Sequence, residues 1–312
     1  MTAILTAAPG RVGAYARLAK LDVWDYYLAL PLAWSLLGPA LWFDPRVLAT
    51  LALFGVGTVF VVASAVAFDD VTGFVDGSDG ANYGPNASAR KLARKPLLTG
   101  ELTVVDAVRF GWATAGIGAV CWGVCVAAAP FALLWTVGLA VLCLVTAVQY
   151  SWGLKISYRG WQEVFLAGFG TGLVLCAVGF AQGAITGFGI VQAVLFGLGP
   201  LLFGVYSNTR DADGDAAVGR PTAAVLLSAT GNRLFIAALS VAEIAVIVVS
   251  AGLGAAPWWF ALAMMPAVLL RIAQLRRGVG IGDLLAARTL GLRAHRLTFV
   301  LLFAINVLGG WL

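Results

Sequence analysis

Nine runs of apolar residues, each close to the roughly 20 residues that cross a hydrocarbon core, dominate this chain of 312 residues. They lie near 22–42, 47–68, 104–127, 131–150, 162–181, 189–207, 226–252, 256–272 and 296–312. Inside lipid every backbone N–H and C=O must find its partner within the protein, so runs of this kind are read as helices. The composition agrees. The chain is 61% hydrophobic and 11% charged, with a mean hydropathy of +0.93, far more apolar than a soluble domain of its size. The expected fold class is all-α: a polytopic membrane protein of nine transmembrane helices, with no domain boundary visible over 1–312.

The positions of Lys and Arg test that count, because short cytoplasmic loops carry the excess of positive charge. Arg11, Arg17 and Lys20 precede the first run; Arg90, Lys91, Arg94 and Lys95 lie between the second and third; Lys155 and Arg159 lie between the fourth and fifth. Arg210 and Arg220 separate the sixth from the seventh, and Arg271, Arg276, Arg277, Arg288, Arg293 and Arg296 cluster around the connection between the eighth and ninth. The opposite connections near 127–131, 181–189 and 252–256 contain no Lys or Arg, and the one near 43–46 contains only Arg46. The N-terminus is therefore expected in the cytoplasm and the C-terminus outside. The net charge of +5 reads as topology plus attraction to anionic headgroups, not as a nucleic-acid surface.

Several smaller features carry bland expectations. The first 20 residues have no continuous apolar stretch ahead of a cleavage site, so no removable signal peptide is expected. Cys121, Cys125, Cys143 and Cys176 fall within apolar runs and read as small packing residues. The sequon Asn86-Ala87-Ser88 falls on the expected cytoplasmic side, away from glycosylation. His295, the only histidine, excludes a multi-histidine metal site and reads as a juxtamembrane surface residue. Most of the 38 glycines lie within the runs, where small residues let helices approach closely.

Two acidic stretches are harder to place in so apolar a chain. "FDDVTGFVDGSDGANY" (68–83) sets Asp69, Asp70, Asp76 and Asp79 directly after the second run, and "YSNTRDADGDAAVGRPT" (206–222) sets Asp211, Asp213 and Asp215 after the sixth. Both lie on the expected cytoplasmic side. Asp211 and Asp215 are four apart, so their carboxylates share one face if helix continues through them. Like charges at that spacing repel, more so beside a low-dielectric interior. A hard divalent cation relieves the repulsion, and magnesium typically binds through one or two carboxylates together with substrate phosphates. Arg94, Lys95, Lys155 and Arg210, on the same side, suit the outer oxygens of a diphosphate. Asp213 and Asp76 are singled out by neither spacing nor position and read equally well as solvated charges.

A diphosphate head at an acidic mouth above an apolar bundle suggests a substrate with a hydrocarbon tail, an isoprenyl diphosphate. Metal ions stabilise such a leaving group as Lewis acids, a dry cavity protects the allylic cation that remains, and aromatic faces can stabilise it.

Four blocks, in order, resemble the UbiA superfamily of intramembrane prenyltransferases. "DDVTGFVDGSD" (69–79) is similar to its first aspartate-rich motif, N-D-x-x-D, with the "GSD" ending of the menaquinone-pathway branch. "ARKPLLTGELT" (93–103) resembles its R-P-L-x-x-G segment, and "YSWGLKISYRGWQE" (150–163) its tyrosine, lysine and Y-x-G-x-x-E block. "NTRDADGDAAVGRPT" (208–222) resembles its second motif, N-x-x-R-D-x-x-x-D followed by G-K-x-T. The resemblance implies nine spans around a central cavity, Mg2+-dependent ionisation of an isoprenyl diphosphate, and capture of the cation by an acceptor. It implies metal binding by Asp70, Asp79, Asp211 and Asp215, with Asp69 and Asp76 as helpers and Asn208 assisting the second cluster. It also implies diphosphate contacts from Arg94, Lys95, Lys155 and Arg210, and Tyr150 facing the reacting carbon. Asp69 stands for the usual Asn, Gly73 for the usual second Asp, and Arg220 for the usual Lys; Asp76, three residues on, is the expected substitute for the ligand missing at Gly73.

The aspartates do not separate two outcomes that share one first step. The cation alkylates an aromatic or quinone-precursor acceptor, the favoured reading, or the chain's own double bonds capture it, as in the terpene cyclases of the same superfamily. A remote reading from another class is an ion-coupled transporter using Glu243 within the seventh run, an intramembrane carboxylate; no two-fold repeat of the transporter kind accompanies it.

Overall fold

The computed structural model of the chain describes residues 10–21, 24–82, 92 and 94–309. Among these residues all regular structure is helical. The helices are α1 (Arg11–Leu18), α2 (Ala29–Leu36), α3 (Pro45–Val75), α4 (Ser78–Asn82), α5 (Val104–Ala128), α6 (Leu134–Val148) and α7 (Gln162–Gln182). Then follow α8 (Gly187–Ala217), α9 (Ala223–Leu226), α10 (Ala229–Gly252), α11 (Phe260–Ala263), α12 (Met265–Leu275) and α13 (Leu284–Gly309). The sequon at 86–88, Arg90 and Lys91 lie outside the described residues.

Six helices, α3, α5, α7, α8, α10 and α13, are long and apolar enough to cross a membrane, and the protein is an integral, multi-pass membrane protein. The other three expected spans are short or broken helices among the described residues. Proline accounts for two of the breaks, because it lacks an N–H and disfavours helix in the residue before it. Pro39 follows the extended Leu37 that ends α2, and Pro266 sits in the first turn of α12, just after α11 stops. α6, behind Pro130, reaches 15 residues.

Elsewhere helix runs further than hydropathy does. α3 continues past residue 68 through both acids to Val75, and α8 past residue 207 through Asp211 and Asp215 to Ala217. α13 begins at Leu284 instead of near 296, so His295 lies three turns inside it. His295 is accordingly buried, 1% exposed, against Phe196 and Phe203, and not at the juxtamembrane surface. Gly199 makes room for it, since a Cβ there would lie 1.9 Å from Nδ1.

α7 and α8 form the centre. α7 packs on α2, α3, α6 and α8, and α8 packs on α4, α9, α10 and α13. α3 lies along α5. The α7–α8 crossing needs glycine: a Cβ on Gly197 would lie 2.3 Å from the Ala167 carbonyl oxygen, and one on Gly170 3.0 Å from the Gly197 Cα. The four cysteines are unpaired thiols, three of them buried in helix contacts. Glu243, the intramembrane carboxylate, is neutralised in place. Arg271 donates to both its oxygens, Nε at 2.5 Å and Nη2 at 2.8 Å, and also to Gln274, whose amide reaches the Leu202 carbonyl at 2.8 Å. This fully buried network ties α10, α12 and α8 together, which is a structural role.

Candidate active site

α3 ends one turn after its acids. Asp76 caps it, accepting from the Ser78 amide at 2.9 Å and from the Tyr158 hydroxyl. Gly77, at φ +86°, then turns the chain into α4, whose first turn holds Asp79. The turn folds Asp79 back over the end of α3: a Cβ on Gly73 would lie 2.9 Å from the Asp79 Cγ. The carboxyl beside position 73 is therefore that of Asp79. Asp76, the expected substitute, instead accepts from the Ser78 amide and the Tyr158 hydroxyl.

Lys95 holds the group together. Its ammonium donates to Asp70 Oδ1 at 2.8 Å and to Asp79 Oδ1 and Oδ2 at 2.7 Å each. Lys20 adds a second ammonium on Asp70 Oδ1 at 2.7 Å. Asp70 is 1% exposed and Lys95 6%. Burial alone would favour the neutral amine, but Asp70, Asp79 and Asp69 outweigh it and hold Lys95 firmly protonated. Burial also pushes the Asp79 carboxyl up; Lys95 opposes this and Asp70 adds to it, because one ammonium serves several carboxylates. Asp69 accepts from the Ser151 hydroxyl at 2.7 Å and from Arg220 Nη2 at 3.2 Å, and the same Nη2 lies 3.4 Å from the Tyr150 hydroxyl.

The second cluster joins the first by two contacts. α4 seats on α8 where Asn82 fills the gap over Gly214, a Cβ there lying 2.2 Å from the Asn82 Oδ1. The Arg220 backbone N–H donates to the Asp215 carbonyl at 2.8 Å while its guanidinium holds Asp69. Asp215 is buried and lies within electrostatic reach of Arg220, Asp211, Asp69 and Asp76. Asp211 sits at the rim, paired with its exposed neighbour Arg210 at 2.9 Å, and Asp213 is exposed.

The other expected contacts divide. Arg94 lies partly buried next to Lys95. Lys155 is exposed, in the left-handed region at φ +50°, with its ammonium 5.3 Å from the Tyr158 ring centre. Asn208 accepts from Gln162 at 2.8 Å and donates to Glu163 at 3.2 Å, facing α7. Lys20, Ser151, Tyr158 and Arg220 belong to the site without having been singled out for it. Arg220 was visible as the departure at the family's lysine position, whereas Lys20 read only as a topological charge.

Below Asp69 and Tyr150 lies a cavity of about 110 Å³ whose other walls include Tyr26, Val66, Phe165 and Phe169. Its aromatic side is continuous: ring centres stand 4.6 Å apart for Tyr150 and Phe165, 5.3 Å for Phe165 and Phe169, and 5.6 Å for Phe169 and Tyr26. A larger hollow of about 510 Å³ runs along α7 between α6, α8 and α10 and touches none of the aspartates, whereas Asp69 lines the smaller cavity. Among the described residues no three Asp, Glu, His or Cys side chains form a ready-made metal cage. The donor chemistry nevertheless fits a hard cation: the oxygens are carboxylates, and Asp70 Oδ2 is buried without a hydrogen-bond partner.

The sequence model of the UbiA prenyltransferase family matches residues 28–283, which include every residue of both acidic clusters. The chain belongs to the UbiA prenyltransferase family. It is thus an intramembrane enzyme of prenyltransferase type that uses isoprenyl diphosphates. Solved structures share the UbiA fold at low identity. A UbiA homolog from Aeropyrum pernix K1 superposes with a TM-score of 0.65 at 16% identity, covering 92% of this chain and 98% of that one. Digeranylgeranylglyceryl phosphate synthase gives 0.62 at 13%, covering 95% and 99%. A UbiA homolog from Archaeoglobus fulgidus, bound to DMAPP and Mg2+, gives 0.61 at 14%, covering 92% and 98%. No curated protein sequence matches.

Proposed function

We propose that this UbiA protein ionises a short isoprenyl diphosphate with Mg2+ and transfers the prenyl group to an aromatic or quinone-precursor acceptor. The observation that carries this reading is the aromatic cavity that has Asp69 and Tyr150 at one end, directly against the clustered acids and cations. Mg2+ and isoprenyl diphosphates occur together in the Archaeoglobus fulgidus homologs. Asp70, Asp79 and Asp215, with Asp69, would hold Mg2+ here, and Asp76 and Asp211 lie at the edge of the group. Bound Mg2+ would supply positive charge to the departing diphosphate. Lys20, Lys95 and Arg220, with Arg94 adjacent, are the cations that bind diphosphate oxygens; Lys155 and Arg210 lie further out, where they serve approach more than binding. The protein's aromatic row excludes water from the cation and turns π faces towards it. Arg220 orients the Tyr150 hydroxyl at the mouth of the cavity. The Lys and Arg pattern supports placing this mouth and the N-terminus in the cytoplasm and the C-terminus outside.

Transfer is preferred here over cyclisation on how functions distribute over this fold. The cavity that Asp69 lines is small, about 110 Å³ against the ~300–1,000 Å³ of typical ligand pockets, which favours a short prenyl chain. Membranes incubated with dimethylallyl, geranyl, farnesyl and geranylgeranyl diphosphates and Mg2+ are expected to turn over the short substrates, and only when an aromatic acceptor is present. A cyclic hydrocarbon or alcohol formed without acceptor would replace this reading with the cyclase one.

Phe169 sets the length limit in this account, because it stacks on Phe165 and meets Tyr26 edge-on. Phe169→Ala is expected to shift the ratio of kcat/KM for farnesyl over geranyl diphosphate upward by about tenfold or more, the scale at which apolar pockets discriminate chain length. An unchanged ratio would place the limit elsewhere.

A further inference from the structure

We propose that the Lys95 ammonium is the resident cation of the Asp70–Asp79 pair and competes with a divalent metal for it. The inference rests on the diphosphate reading above for its consequence, though not for the competition itself. The Lys95 ammonium donates to Asp70 Oδ1, Asp79 Oδ1 and Asp79 Oδ2 at 2.7–2.8 Å, so it bridges the two carboxylates. Lys95 is thereby placed where a cation bridging two carboxylates belongs. Gly73 makes the arrangement possible, because any side chain there would meet the Asp79 carboxyl.

Charge balance supplies the second argument. Asp69, Asp70 and Asp79 face Lys20, Lys95 and Arg220, three carboxylates against three cations, all in hydrogen-bonded contact. Relative to the family pattern, Asp69 adds the carboxylate that Gly73 lacks, so the number of acids is unchanged and the space beside position 73 is left to the Asp79 carboxyl and the Lys95 ammonium. A divalent ion bridging Asp70 and Asp79 would take the place that the Lys95 ammonium holds between them. One acceptor already waits for it, the buried and unpartnered Asp70 Oδ2. Without metal, Lys95 keeps the buried acids from repelling one another; with a diphosphate present, the lysine has a new anionic partner and the carboxylates are released. Metal and diphosphate then bind with positive coupling.

Purified full-length protein in lipid nanodiscs tests this by equilibrium dialysis of manganese at fixed free-ion activity, with and without inorganic pyrophosphate. Wild type is expected to bind manganese about tenfold more weakly alone than with pyrophosphate. Lys95→Met is expected to bind manganese alone at least tenfold more tightly than wild type, and manganese is expected to raise its melting temperature more than that of wild type. Lys95→Gln, which keeps a hydrogen-bonding side chain, should behave likewise and covers the case in which the methionine variant does not fold. Equal manganese affinity in wild type and the variants overturns the proposal. Failure of the diphosphate reading has a separate signature: tighter manganese binding by the variants, with no effect of pyrophosphate on any form.

Discussion

Asp70→Asn is expected to lower Mg2+-dependent release of diphosphate from geranyl diphosphate by about 10³-fold, the scale seen when one group that stabilises developing charge is removed. The substitution keeps the shape of the side chain and removes its charge. Asp70 is almost wholly buried, touches both Lys20 and Lys95, and holds a buried oxygen without a hydrogen-bond partner. Loss at this position therefore strikes metal binding and the setting of two cations together. Asp213→Asn is the matched control: its carboxylate is exposed two residues from Asp215, and its activity should stay within about twofold of wild type, as surface changes away from special features do. Pyrophosphate release from membranes, titrated with Mg2+, checks both. An Asp70→Asn protein with wild-type turnover would remove the carboxylate cluster from the chemistry altogether.

Glu243→Ala is expected to produce the largest loss of stability, about 3–5 kcal/mol, the effect of removing one partner of a buried ion pair. Arg271, 1% exposed, would be left with its charge facing only the Gln274 side chain inside a helix bundle. Replacing both partners, Glu243→Leu with Arg271→Met, removes the pair without leaving a charge behind and should restore most of the stability. Thermal unfolding in detergent separates the three proteins. A single variant as stable as wild type would mean that Glu243 is not held by Arg271 and would reopen its reading as an ion-carrying carboxylate.

The spans were legible wherever apolar length and helix length coincide, as in α5, α7 and α10. They misled where polar residues ride on helix. Arg288, Arg293 and Arg296 looked like a loop because charge is expensive in lipid, yet Arg296 is neutralised by Asp25, 271 residues away in sequence, at 2.8 Å. No single sequence displays such a partner. The same limit applied to the site. Asp70, Asp79, Asp215 and Lys95 were grouped by chemistry that their side chains announce, and Arg220 showed as a departure from the family pattern, whereas Lys20 joins the group through a long-range contact alone. Asp76 stands apart from position 73 for a local reason. It would neighbour Gly73 on a continuing helix, but α3 stops at Val75 and the Gly77 turn brings Asp79 into that place instead.

α3 and α8 are 31 residues each, about 46 Å at 1.5 Å per residue, against a hydrocarbon layer of about 30 Å. The surplus turns are the ones that bear the acids. The apolar parts of the two helices, 47–68 and 189–207, are about 33 and 29 Å long at that rise, so they match the layer and the surplus is polar helix standing beyond it. Because Asn82 of α4 seats on Gly214 at that end, the acids of both helices share one support clear of the acyl chains, and an apolar tail can stay among lipids while a charged head meets them.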